Sequence, residues 1–174
     1  MMAEALKTIY SRKSVRRYAS KPVPRGLLEN FIRAGMAAPS GTDARPWNFV
    51  AVTEPALLAK LSDGLKYGRM LKGAGAAIAV CGTPHEPRPG LTNELWIQDC
   101  AAATQNILLA VEDAGLGAVW VCVHPIEEHV RHVREVLGIP EDTVPLCVVS
   151  IGYPAAEDKP KDKYEPRKIH WERW

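Results

Sequence analysis

The chain has 174 residues, 47% hydrophobic and 24% charged, a composition that fits a soluble globular domain and excludes a disordered or membrane-embedded one. Its 22 basic and 20 acidic residues leave a net charge of +2, so the overall positive field of a nucleic-acid binder is absent. No apolar run approaches the roughly 18 residues that cross a bilayer, and the N-terminus carries Glu4 instead of a signal-peptide core, which predicts one cytoplasmic domain with a sizeable core.

In chain order, residues 3–11 and 26–37 read as amphipathic helices. The second repeats Leu27, Leu28, Phe31, Ile32 and Ala34 at helical spacing, with Pro24 before it and Pro39 after it. Asn48–Val52 reads as a short strand. Pro55 then opens a helix carrying Leu57, Leu58 and Leu61. The continuous apolar run Ala76–Cys81 predicts a central strand buried on both faces. A loop with Pro84, Pro87, Pro89 and Gly90 leads to the longest helical candidate, Leu91–Ala114, about 36 Å at about 1.5 Å per residue and ended by Gly-Leu-Gly at 115–117. Val119–Val123 reads as a strand, Ile126–Leu137 as a helix, and Val144–Ile151 as a β-branched final strand. The division predicted is a domain over 1–154 and a C-terminal extension over 155–174. That extension carries Tyr164, Trp171 and Trp174, which a free tail would expose to water, so it is expected to dock on a partner subunit.

Arg12-Lys13-Ser14-Val15-Arg16 places three cations around one hydroxyl. In an extended segment, side chains 12, 14 and 16 share one side. Two guanidinium forks flanking a hydroxyl suit a phosphate monoester; a solvated basic loop is the plain alternative. Gly-Ala-Gly-Ala-Ala at 73–77 imitates a dinucleotide fingerprint but precedes its strand instead of following it. His129 and His132 have metal-ligand spacing, yet Glu127, Glu128, Arg131 and Arg134 mark their face as solvated, and no metal site is predicted. The four cysteines, Cys81, Cys100, Cys122 and Cys147, form no C-x-x-C pair and read as buried thiols of a reducing compartment.

Arg12–Tyr18, Ala38–Trp47 (A-P-S-G-T-D-A-R-P-W), Arg69-Met70-Leu71, Gly115–Cys122 and Gly152-Tyr153-Pro154 with K-P-K-D-K after it form an ordered set. It resembles the nitroreductase family of FMN-dependent oxidoreductases, in its short form, over nearly the whole chain. The resemblance implies an α+β fold, a mixed, mostly antiparallel sheet wrapped by helices, and an intertwined homodimer with FMN at the subunit interface. It assigns Arg12, Lys13, Ser14 and Arg16 to the FMN phosphate, ribityl chain and part of the ring. Lys161 and Lys163 would complete the phosphate site. Pro39, Ser40 and Gly41 would be laid against the flavin by the other subunit. Arg69 would stand near flavin N1 and the C2 oxygen, and Trp120, Val121 and Cys122 would pass the ring with a backbone N–H facing N5.

The implied activity is hydride transfer from NADH or NADPH to a small-molecule acceptor such as a nitroaromatic or quinone, by a ping-pong mechanism on one flavin face. Arg69 is the one side chain given a catalytic role, and neither a nucleic acid nor a membrane is an expected partner. Other implied possibilities are an FMN-binding storage or sensor protein, a dehalogenase-type member or a flavin-fragmenting one. Dehalogenating members close the site with a lid; here only a short stretch stands between Leu61 and Met70, with residues 82–92 as another possible cover. The chain departs from the family pattern at Asp43, often Asn, and at Arg45, often Gln or Glu, a charge-balanced exchange if the two side chains pair.

Overall fold

Two strands without a polar face, β2 (Ala76–Gly82) and β4 (Val144–Gly152), are buried almost throughout, because helices cover both sides of the sheet they centre. The computed structural model describes residues 4–84 and 94–174. With β1 (Trp47–Val52) and β3 (Gly117–Cys122) at the edges, the sheet has the order β1-β2-β4-β3 and every neighbouring pair is antiparallel. The mixed character of the α+β fold comes from outside these strands, where Ser14 bridges Ala118 in parallel.

Alternation along β2 separates two cores. Ile78 and Val80 face α2 (Arg25–Met36) and α4 (Leu95–Asp113), meeting Leu28, Phe31, Cys100, Ala103 and Ile107. Ala77, Ala79 and Cys81 face α3 (Pro55–Asp63) and α5 (Glu127–Leu137), meeting Leu58, Leu61 and Val133. This two-sided burial is what the unbroken apolar run encodes. At about 25 cal/mol per Å² of apolar surface, such burial is the main drive to fold. A bulge after Val80 aligns Cys81 with Pro145, a position where a residue without an N–H costs little.

Several boundaries differ from the sequence expectation. α4 starts at Leu95, so its 19 residues span about 28 Å; the predicted first turn, 91–93, lies outside the described residues, as does most of the 84–90 loop. The third strand begins at Gly117, earlier than the predicted Val119, because Gly115 alone stops the helix. Gly115 has φ +73°, its N–H bonds Glu112 O, and Leu116 N–H reaches back to Val111 O. That is a Schellman stop, and it frees Gly117 to pair with Gly152. A 3-10 turn at Arg69–Gly73 had no signal in the periodicity. α1 (Glu4–Ser11) buries no residue and is tied to α4 through Thr8 Oγ1 donating to Asp113 Oδ1 at 3.1 Å.

Candidate functional site

The basic segment after α1 is held against the sheet edge. Val15 N–H donates to Ala118 O at 2.9 Å, Ala19 N–H to Tyr153 O at 2.8 Å, and Ala155 N–H to Arg17 O at 3.0 Å. Val15 is buried and packs on Gly117, where an added Cβ would come within 2.6 Å of Val15 Cβ. Tyr18 lies on Gly152, whose added Cβ would meet the ring at 2.8 Å. The Tyr18 hydroxyl donates to Val15 O at 2.7 Å, with Ser150 O at 3.1 Å. Burial pushes this phenol up to about 12, against the opposing influence of the Ser150 contact and of Arg16. The glycines of two distant motifs thus exist, in physical terms, to admit the side chains of a third.

That attachment produces the alternation expected for an extended segment. Val15 turns inward, while Ser14 and Arg16 are exposed and Arg12 is half-buried. Among the described residues neither Arg12 nor Arg16 has a carboxylate within ion-pair distance. Lys13 differs from them, because its ammonium is 2.8 Å from Glu112 of α4 in a largely buried pair. Its charge is neutralised within the fold, which leaves Arg12, Ser14 and Arg16 as the outward donor set.

The loop after α2 is anchored at the opposite end of α4. Gly41 N–H donates to the buried Asp99 carboxylate at 2.9 Å, and Arg45 N–H donates to Ser40 Oγ at 3.0 Å. Thr42, Asp43 and Arg45 all have φ near +50°, each at a cost of about 1 kcal/mol or more for a non-glycine residue. Asp43 and Arg45 form a two-point ion pair, with Arg45 Nε donating to Asp43 Oδ1 at 2.7 Å and Nη2 to Oδ2. The guanidinium holds the Asp43 carboxyl below the usual carboxylate range, and the carboxylate raises Arg45 in turn. The departure from the family pattern is therefore charge-compensated within the loop. Asp99 and Glu112 are 13 positions apart on one helix, about 20 Å along its axis. Within this chain, the loop carrying Pro39, Ser40 and Gly41 and the segment carrying Arg12–Arg16 stand at opposite ends of α4.

A cleft of about 890 Å³ opens between the turn after α3 and the start of α5. Arg69 lies on its wall with Lys66, Tyr67 and Lys72, and Asp63 and Glu128 supply the negative charge. Lys72 is paired with Asp63 at 2.6 Å, whereas Arg69 has no carboxylate partner among the described residues. The cleft reaches β3 through His129. This residue is buried, not on a solvated face as the neighbouring charges led us to expect. Its spacing from Val133, one turn along on the same helix face, was the overlooked signal. His129 Nδ1 is 3.3 Å from Cys122 O and Nε2 is 3.5 Å from Lys66 N, while His132 Nε2 is 2.9 Å from Lys60 O. Both rings are turned toward backbone.

At the same strand end, Val121 is buried in the α3/α5 core, Trp120 packs half-buried on the α2/α4 side, and Cys122 is exposed. The three other cysteines are buried, and desolvation pushes Cys81 and Cys100 up to about 12 and Cys147 higher still. They are inert core thiols. Lys161 and Lys163 lie on the extension, which leaves the domain at Ala155 beside Arg17 and keeps Tyr164, Trp171 and Trp174 in solvent. Sequence reasoning missed Lys66, Tyr67, Glu128 and His129, which only the packing of α5 against the turn after α3 brings to Arg69. Among the described residues, no helix is long and apolar enough to cross a membrane.

Comparison with known proteins gives a consistent result. The family model described as the Nitroreductase family matches residues 9–66 and 61–153. A protein of Archaeoglobus fulgidus, provisionally named NADH dehydrogenase/NAD(P)H nitroreductase, is 42% identical over 176 residues, covering 99% of this chain and all of its own. A solved structure from Bacteroides thetaiotaomicron with the same provisional name is 44% identical, with a TM-score of 0.93 and full coverage of both chains. An FMN-dependent nitroreductase from Clostridium difficile is 27% identical, with a TM-score of 0.88 over 97% of this chain and 99% of that one.

Proposed function

The chain belongs to the nitroreductase family of oxidoreductases, and from that premise we propose that it uses FMN to pass hydride from NADH or NADPH to a nitroaromatic, quinone or similar small acceptor, in ping-pong order and as a homodimer. The observation that carries the reading is the outward set of Arg12, Ser14 and Arg16, fixed along the same β3 strand whose far end adjoins the Arg69 cleft. Guanidiniums without carboxylate partners beside a hydroxyl form a donor set for a phosphate monoester. A cleft walled by an arginine that has no carboxylate partner among the described residues suits the electron-rich edge of a flavin ring. These residues fit FMN.

When bound, FMN supplies hydride acceptance and delivery; the protein supplies position and electrostatics. Arg12, Ser14 and Arg16 would bind the phosphate and ribityl end, with Lys161 and Lys163 joining from the extension. Arg69 would hold negative charge at N1 and the C2 oxygen, a preorganised role that needs no proton transfer. Trp120, Val121 and Cys122 would carry the ring past the strand end, with the Cys122 backbone N–H toward N5. The roughly 20 Å between the two anchors on α4 supports a dimer in which Pro39, Ser40 and Gly41 of one subunit reach the FMN of the other. The exposed aromatics of 155–174 and the uncovered face of α1 support the same assembly, since each would bury apolar surface on a second copy.

The test is the visible absorption spectrum of the purified protein, with released flavin identified by chromatography. Flavin bands and one FMN per subunit are expected. A colourless protein that takes up no added FMN would overturn the proposal. Steady-state NAD(P)H oxidation with an acceptor then separates an enzyme from a storage protein.

A further inference from the structure

We infer that His129 is a positioning residue that, in its neutral Nδ1–H form, holds the strand end at Cys122 and the turn carrying Arg69 in register for hydride transfer. The inference rests on the proposed function for its kinetic part and on the ring's surroundings for its structural part. His129 is 6% exposed and lies on the wall of the cleft, between two elements that touch the reacting end of the site. One nitrogen faces a backbone donor, because Lys66 N–H points at Nε2 from 3.5 Å. The other faces a backbone acceptor, the Cys122 carbonyl, at 3.3 Å from Nδ1. Only one neutral tautomer satisfies both, with the proton on Nδ1 and the lone pair on Nε2. Each contact is long and individually weak; burial of the ring fixes it and makes the pair directional.

The consequence for the site is mechanical. Lys66 stands three residues before Arg69, in the turn that leads into the Arg69–Gly73 3-10 turn, and Cys122 ends β3. Moving or losing the imidazole lets that turn shift relative to the strand end. The Nε2–H tautomer would place an N–H opposite the Lys66 N–H and abolish its acceptor. Loss of the imidazole is therefore expected to slow the reaction without removing FMN, whose phosphate donors Arg12, Ser14 and Arg16 belong to a different element.

Two measurements test this. On the wild-type protein, ¹⁵N NMR of the histidine rings should report the Nδ1–H tautomer for His129 at neutral pH. An Nε2–H tautomer would overturn the inference, whatever any variant does. On the FMN-loaded protein, stopped-flow reduction by NADH is followed at neutral pH for wild type, His129→Asn, His129→Gln and His129→Phe. Asn keeps a donor near the Nδ1 position, and Gln keeps an acceptor near Nε2. Asn and Gln, which each restore one of the two contacts, should retain part of the wild-type rate. Phe should be slower than wild type by about five- to tenfold, the scale of one net hydrogen bond, with FMN affinity within about twofold of wild type. A full rate in His129→Phe, or Asn and Gln variants no faster than Phe, would overturn the positioning role. A wild-type protein that binds FMN but is not reduced by NADH or NADPH would instead remove the functional proposal and the kinetic half of this one, leaving the tautomer result to stand or fall by the NMR.

Discussion

Gly117→Ala is a stringent probe of how the site is built, because it touches neither a ligand nor a charged group. The added methyl would lie 2.6 Å from Val15 Cβ and 2.7 Å from both of its γ carbons. Real carbon contacts are about a full ångström longer. Val15 is 1% exposed and branched, so no rotamer withdraws it; the segment itself must lift from β3. The cost combines overpacking, about 1–3 kcal/mol, with loss of the Val15 N–H to Ala118 O bond, about 1 kcal/mol. A loss of about 2–4 kcal/mol lowers Tm by roughly 5–15 °C for a chain of this size. Lifting Val15 also carries Ser14 and the two flanking arginines away from their common side, so FMN affinity should fall along with stability. Thermal denaturation without FMN and fluorescence titration of FMN are the assays, with Val15→Ala combined with Gly117→Ala as the relieving partner. The double variant should recover FMN binding relative to Gly117→Ala alone. Wild-type Tm and FMN affinity in Gly117→Ala would refute the claim that this glycine admits the phosphate segment.

Other consequences are directly measurable. Replacing Arg12 and Arg16 by Ala should release FMN while far-UV circular dichroism keeps the helical signal; full flavin occupancy would contradict the phosphate assignment. Arg69→Ala should slow flavin reduction on the order of 10²-fold and change FMN affinity much less, so an unchanged stopped-flow rate would remove Arg69 from the chemistry. Removing 155–174, or Trp171→Ala alone, should shift the assembly toward monomer in sedimentation analysis, by about 2 kcal/mol or more if this tryptophan anchors the interface; an undisturbed dimer would argue against docking of the extension. Tyr18 adds a pH dependence: unfolded, it loses its proton near 10, whereas in the fold it holds it to about 12. Its contribution, on the order of 2–3 kcal/mol, is complete below pH 10 and is lost as pH rises toward 12. Tyr18→Phe should therefore flatten the stability curve between pH 10 and 12, leaving the slope that begins near 9 from the buried thiols.

Much of the fold was legible along the chain, because its signals are local. The unbroken apolar run 76–81 could only be a strand covered on both faces, and Pro24 and Gly115 each mark a helix end through their own backbone preferences. The alternation through Arg12, Ser14 and Arg16 likewise needed only an extended backbone. Errors fell where the deciding contact is remote. The start of β3 depended on pairing with Gly152, and the solvated look of His129 came from neighbours in sequence that do not share its face of α5.

The family and its motifs were set by the sequence itself, since each motif is a short run whose chemistry travels with it. Only the tertiary structure decided why the motifs occur together: Val15 needs Gly117 and Tyr18 needs Gly152, contacts between segments about a hundred residues apart in the chain. It also decided that Lys13 is spent on Glu112, that Asp43 and Arg45 cancel each other, and that Arg69 shares a cleft with His129. Which of several cations is free to meet a ligand depends on the carboxylate across from it, and that partner is chosen by packing, not by position along the chain.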